Sequence, residues 1–170
     1  MIKTKSSFLH SFDNFIVNDS NQLAFWAALS VSQEPMKYSP MFFYGKSGSG
    51  KTHLLQAIAR RFEKIHKEPC LYTTAKDFMG DLFFAIRSGQ KELFNQKYEN
   101  NSLLIIDDLQ YLADKGMTQE KLLIILKKYQ VENRQIILAA DHHPEYILYL
   151  DEELIDSCYG GLILEIKTPL

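Results

Sequence analysis

Cysteine is scarce in this chain of 170 residues: Cys70 and Cys158 are the only two. They have neither metal-ligand spacing nor the density of a disulfide framework, which fits a reducing compartment. No apolar run is long enough to cross a bilayer. No hydrophobic segment follows the opening Met1-Ile2-Lys3-Thr4-Lys5-Ser6-Ser7, so a secretory signal is not expected. These absences predict a cytoplasmic protein without membrane association. Internal repeats are missing as well. So is any excess of charge: the formal net charge is −2, which provides no general attraction to nucleic acid. The charge is nevertheless uneven. Asp141 to Gly160 holds no Lys or Arg, while Arg60 to Lys67 is mostly basic. A solvated helix face with ion pairs is the preferred account of the basic stretch.

What is present is a folded-protein composition, 46% hydrophobic and 24% charged, with length for one α/β domain and its core. The strongest local signal is Gly45-Lys46-Ser47-Gly48-Ser49-Gly50-Lys51-Thr52, a complete phosphate-binding loop. Its context agrees. Met41-Phe42-Phe43-Tyr44 predicts a short buried strand into the loop, and Thr52 to Ile65 a helix out of it, with Leu54, Leu55, Ile58, Ala59 and Phe62 on one face. The glycines permit dihedrals and close approaches forbidden to other residues. Backbone N–H groups and the helix start then face phosphate oxygens. Lys51 would reach the terminal phosphates, and Thr52 would put its hydroxyl on Mg2+.

The second signal is Ser102-Leu103-Leu104-Ile105-Ile106-Asp107-Asp108. A continuous apolar run predicts a strand buried on both faces, and its two carboxylates fall at the C-terminal end, where parallel sheets keep their ligand sites. Asp107 would hold Mg2+, directly or through water. Asp108 would orient or deprotonate the attacking water.

The rest of the chain is expected to fill in around these two. Residues 1 to 11 are expected to be a flexible lead, and 12 to 170 one nucleotide-binding core. Phe12 to Val17 is dense and aromatic and should pack on the domain. Asn18-Asp19-Ser20 supplies turn and cap residues for a helix over about 21 to 32, with Leu23, Ala24, Ala27, Ala28 and Val31 inward. Cys70 to Thr73 predicts a second strand. Thr74 with Asp77 has capping-box spacing for a helix carrying Phe78, Leu82, Phe83 and Ile86, and Ser88-Gly89 ends it. A helical rhythm resumes over 90 to 100 through Leu93, Phe94 and Tyr98, and again over about 118 to 131. Ile136 to Ala140 and Leu162 to Ile166 predict two more strands, with a short acidic helix at Asp151 to Asp156 between them. His142-His143 has no third ligand at a recognisable spacing, so a turn is preferred over zinc. Five strands joined by helices predict a three-layer α/β sandwich of the P-loop NTPase class. The chain stops soon after the last strand, so no helical lid is expected.

Several stretches then resemble the ATPase domain of the bacterial replication initiator DnaA family. They are Phe12-Asp13-Asn14-Phe15 with Ser20-Asn21, the loop continuing into His53-Leu54, Ala85-Ile86-Arg87, Leu104 to Leu112, Gln135 to Leu138, and Asp141 to Pro144. The resemblance implies an AAA+ core with a parallel five-stranded sheet in the order 5-1-4-3-2. It implies an adenine base held between Phe15, Ile16, Val17, Asn21 and the loop with His53, and ATP or ADP with Mg2+ as the cofactor. The family's arginine that reaches a neighbour's ATP falls on Ser157, its polar sensor on Ala139-Ala140, a basic DNA contact on Met117 and an apolar one on Phe83. Those departures imply slow or partner-dependent hydrolysis. The expected function is a regulator or accessory factor of replication initiation, partnered by a DnaA-type initiator or another replication protein. Single-stranded DNA, through Phe83, Lys91 and Lys97, is a weaker expectation, and the oligomeric state is left open. An active ATPase of the helicase-loader or transposition-helper type, and a non-enzymatic scaffold, are the alternatives.

Overall fold

The computed structural model describes residues 10–168. Most of the expected N-terminal lead, residues 1–9, lies outside the described residues. Five strands form one parallel sheet: β1 (Met41–Tyr44), β2 (Cys70–Thr74), β3 (Leu103–Asp107), β4 (Gln135–Ala140) and β5 (Leu162–Glu165). Their order is β2-β3-β4-β1-β5, which is the expected 5-1-4-3-2 read from the other edge. Helices α1 (Gln22–Gln33) and α2 (Lys51–His66) cover one face. The other is covered by α3 (Ala75–Ser88), α4 (Lys91–Glu99), α5 (Gly116–Val131) and α6 (Glu152–Cys158).

Why the central strands are apolar between their ends is visible in how their residues divide. Met41, Phe43, Leu103, Ile105, Ile137 and Ala139 pack under α1 and α2 against Ala28, Leu54, Ile58 and Phe62. Phe42, Leu104, Ile106, Ile136, Leu138 and Ala140 pack on the opposite face against Phe78, Leu122, Leu126 and Leu154. A strand alternates its side chains between faces, so a strand covered on both sides is apolar along its middle, and the buried polar residues Gln135 and Asp107 stand at strand ends.

Four local expectations change. Leu23 is 70% exposed; the buried stripe of α1 is Ala24, Ala28 and Val31, small residues that let the helix lie close to α2. The cap of α1 is Asn21 rather than Asn18-Asp19-Ser20. Asn18 and Ser20 instead form the turn before it, with Ser20 N–H donating to Asn18 Oδ1 at 2.9 Å. In α3 the inward residue that follows Phe78 and Leu82 is Ala85, while Phe83 and Ile86 are about two-fifths exposed. A helix with Phe78 and Leu82 inward brings residue 85 to the core face by its 3.6-residue period. In α4 only Phe94 and Tyr98 are buried, and Leu93 faces out. The cap at Thr74 holds in part: its hydroxyl accepts from Asp77 N–H at 3.1 Å.

Candidate functional site

The phosphate-type loop leaves the C-terminal end of β1, where Tyr44 pairs with Ala140 of β4 and Gly45 N–H donates to Ala140 O at 3.3 Å. Gly48 and Gly50 have φ of +81° and +101°, a region that favours glycine. Gly45 is required for a different reason: an added Cβ would meet Ile166 O at 2.2 Å. Gly50 closes α2 at its N-terminus, and a Cβ there would meet the Phe15 ring at 3.0 Å.

Three predicted residues converge inside this frame. Lys51 is buried, with its ammonium donating to Gly45 O and to Lys46 O. Burial lowers its pKa, and the charges of Asp107, Asp108 and Asp141 partly oppose that. Thr52 Oγ1 donates to Asp107 Oδ2 at 2.7 Å across 55 residues of sequence. Asp107 is 1% exposed. Burial raises its pKa, while hydrogen bonds from Thr52, Tyr72 and the Asp108 N–H pull it back. Asp108 follows in the left-handed region at φ +58°, tolerated by Asp better than by most side chains. Its carboxylate turns outward to accept from Gln110 Nε2 at 3.3 Å.

The base-side residues divide. Phe15 lies on Gly50, stacks on Phe25 at 5.7 Å and meets the His53 ring edge-on at 5.1 Å. His53 Nε2 donates to Ser11 O at 2.8 Å and to Asn14 Oδ1 at 2.9 Å, so this ring ties the N-terminal segment to α2. The two described residues of the expected lead, His10 and Ser11, both contact it. Asn21 is buried, its amide donating to Ile16 O at 3.0 Å, whereas Ile16 and Val17 are exposed beside the loop. Lys46, Ser47 and Gly48 are exposed at the mouth. Ser49 Oγ is buried without a hydrogen-bond partner.

Two residues escaped the sequence reading. Tyr72 OH donates to Asp107 Oδ2 at 2.9 Å. Gln110 joins Asp108 to the exit of β4 by accepting from Asp141 N–H at 3.3 Å. The strand register holds a signal for the first: Tyr72 pairs with Ile105, which makes Asp107 its diagonal neighbour on the same face, within reach of an aromatic side chain. Other named positions are not part of this cluster. Ser157 is in α6, where its hydroxyl donates to Glu153 O at 2.8 Å. Ala139 and Ala140 end β4 without a polar side chain. Among the described residues no group of His, Cys, Asp and Glu is placed to hold a metal ion by itself, and His142 is paired with Asp141 at 2.9 Å. No described helix is long and apolar enough to cross a membrane.

A glycine-rich loop between β1 and α2, with a buried lysine and a hydroxyl–carboxylate pair at the ends of adjacent elements, defines a P-loop domain. The sheet order places it in the AAA+ class. Within that class the chain belongs to the DnaA family: the model of the bacterial DnaA ATPase domain matches residues 7–165. The chromosomal replication initiator protein DnaA of Caldanaerobacter subterraneus subsp. tengcongensis is 39% identical over 162 residues, 94% of this chain and 37% of that protein. Its counterpart in Lactiplantibacillus plantarum is 37% identical over 171 residues, 99% of this chain and 38% of that protein. The chain thus spans well under half the length of these relatives. Domain III of the Thermotoga maritima initiator superposes with a TM-score of 0.92 at 31% identity, covering 94% of this chain and 68% of that one. AMPPCP-bound DnaA from Aquifex aeolicus superposes at 0.88 with 33% identity, covering 92% and 50%. The DnaC helicase loader, at 0.81 and 19% identity, shares the fold.

Proposed function

We propose that this domain binds ATP or ADP with Mg2+ and works as a nucleotide-dependent regulator or accessory factor in replication initiation, with slow intrinsic hydrolysis. The observation that carries the reading is the Thr52–Asp107 hydrogen bond of 2.7 Å beside buried Lys51. The residues fit the cofactor. Gly48 and Gly50 keep side chains out of the loop, and the unpartnered Ser49 hydroxyl adds a polar atom behind it. Lys51 would exchange its bonds to loop carbonyls for phosphate oxygens, a stronger charge-assisted pairing. Thr52 and Asp107 would hold Mg2+, which when bound neutralises phosphate charge. Phe15, Ile16, Val17 and Asn21 border the side where an adenine base would lie, and His53 anchors that segment.

Slow hydrolysis follows from what surrounds Asp108. That carboxylate can orient a water or take its proton. Ala139 and Ala140 offer no side-chain donor nearby, and Ser157, where the family carries a cation toward a neighbour's nucleotide, is neutral. An arginine finger is worth about 10³–10⁵ in rate. The partner we propose is a DnaA-type initiator or another replication protein, by analogy with relatives named chromosomal replication initiators. Single-stranded DNA is a weaker candidate: Phe83 is partly exposed, but Lys97 is already paired with Asp81 at 2.6 Å.

Calorimetric titration with ADP and ATP, with and without Mg2+, tests the binding step. Tight binding lost in Lys51→Ala is the expected result; no binding by the intact protein sinks the reading. Steady-state turnover then separates the proposal from the active-ATPase alternative. Turnover near background is expected. Rapid turnover abolished by Asp108→Asn would establish the alternative.

A further inference from the structure

One oxygen atom in this site carries more than the phosphate loop requires. Asp107 Oδ2 accepts from two hydroxyls, Thr52 Oγ1 at 2.7 Å and Tyr72 OH at 2.9 Å. Its other oxygen, Oδ1, accepts the Asp108 N–H at 2.9 Å. Tyr72 comes from β2, the edge strand of the sheet and outside the loop-and-helix unit. Its hydroxyl in turn interacts with the side chain of Gln56 on α2, one helical turn beyond Thr52 and therefore on the same helix face. The result is a chain from Gln56 through Tyr72 to Asp107, closed by Thr52.

We infer that Tyr72 is a positioning residue: its phenol O–H fixes the plane of the Asp107 carboxylate for divalent-cation binding, independently of Thr52. This rests on the nucleotide–Mg2+ reading above and goes beyond it by adding a residue outside the phosphate loop and the strand carboxylates. The physical argument concerns donors. A hydroxyl has one proton to donate, and Thr52 spends its proton on Oδ2. Without a second donor, a carboxylate with one backbone and one threonine partner would be reoriented by any shift of the loop. Tyr72 removes that dependence, because its ring is seated between the sheet and α2 on the core face that also holds Phe62 and Ile105. A half-buried, charge-assisted hydrogen bond of normal length holds its geometry better than a neutral one.

Tyr72→Phe removes the hydroxyl and keeps the ring. The dissociation constant of a fluorescent ADP is measured for the intact protein and the variant, with Mg2+ and with EDTA, beside thermal melts. In parallel, ¹³Cζ-tyrosine NMR follows the Tyr72 resonance, assigned by its loss in the variant. The expected result is unchanged affinity in EDTA and a Mg2+-dependent gain smaller by about tenfold, the scale of one hydrogen bond to a charged group. The Tyr72 resonance should move when Asp107 is replaced by Asn in the nucleotide-free protein, and again when Mg2+ is added to the ADP complex. An undiminished Mg2+ gain in the variant overturns the inference. So does an equal loss with and without Mg2+, which would assign Tyr72 to packing alone, and so does a resonance indifferent to Asp107. If the intact protein shows no Mg2+-dependent gain, the nucleotide–Mg2+ reading itself fails and the inference falls with it.

Discussion

Asp107→Asn should make the ligand-free protein more stable and the nucleotide-loaded protein less stable than the parent. The carboxylate is buried at 1% exposure, and burial, helped by the like charge of Asp108, outweighs its three hydrogen bonds, so its pKa is raised above the ordinary carboxylate value. The sign follows from linkage. The folded protein holds this proton more tightly than the unfolded chain. Stability is therefore unaffected below the unfolded pKa, declines as pH rises through the interval up to the folded pKa, and stays reduced above it. An amide carries no such cost. It also keeps partners, since the hydroxyls of Thr52 and Tyr72 can accept as well as donate. A gain on the order of 1 kcal/mol is typical when a functional group is traded for stability. That corresponds to a Tm higher by roughly 2–4 °C for a chain of this size. The difference should grow from about pH 4 upward. With Mg2+–ADP at about 100 times its Kd, the parent gains about 2.7 kcal/mol, or roughly 5–11 °C. The variant, without its metal carboxylate, should gain far less, so the order of the two melts reverses. Differential scanning fluorimetry across pH 4 to 8, with and without ligand, reads both effects. A variant that is less stable than the parent without ligand at pH 7, or a difference that does not vary with pH, would refute the reasoning about burial.

Lys51→Ala should lower nucleotide affinity by roughly 100- to 10,000-fold, as expected for losing two charge-assisted bonds of about 1.5–3 kcal/mol each, while the fold survives; calorimetry and circular dichroism check the pair. Gly161→Ala should destabilise by about 3 kcal/mol or more, because an added Cβ would meet Pro40 O at 1.8 Å; urea unfolding measures it, and a loss under 1 kcal/mol would mean that the β1 and β5 ends can part freely. Thr74→Ala should cost about 1 kcal/mol by removing the hydroxyl that accepts from Asp77 N–H, seen as a lower urea midpoint with unchanged slope.

Legibility differed by the range of the interaction. The loop from Gly45 to Thr52 was readable because its chemistry is local: glycines at set spacings permit set dihedrals, and the flanking strand and helix have their own periodicities. The buried strands were readable from their runs at 103–106 and 136–140, because a strand covered on both faces is apolar along its middle. Helix faces were read less well. Leu23 and Phe83 fit an apolar stripe in the sequence yet face outward, because the stripe is chosen by which neighbours pack: α1 buries only Ala24, Ala28 and Val31 among its apolar residues, on the face shared with α2, and α3 turns Ala85 rather than Phe83 to the opposite face of the sheet. The sheet order came through the family resemblance, since periodicity does not tell which strand lies beside which.

By itself, then, the sequence determined the phosphate-type loop, its lysine and threonine, the acidic pair Asp107-Asp108, and an α/β sandwich around them. Short-range backbone sterics and side-chain alternation are enough for each of these. Only the tertiary structure decided that Thr52 and Asp107 share a hydrogen bond, that Tyr72 joins them from an edge strand, and that Gln110 ties Asp108 to β4. Those contacts join residues up to 55 positions apart, and their geometry is set by the register of parallel strands, a property that no single segment contains.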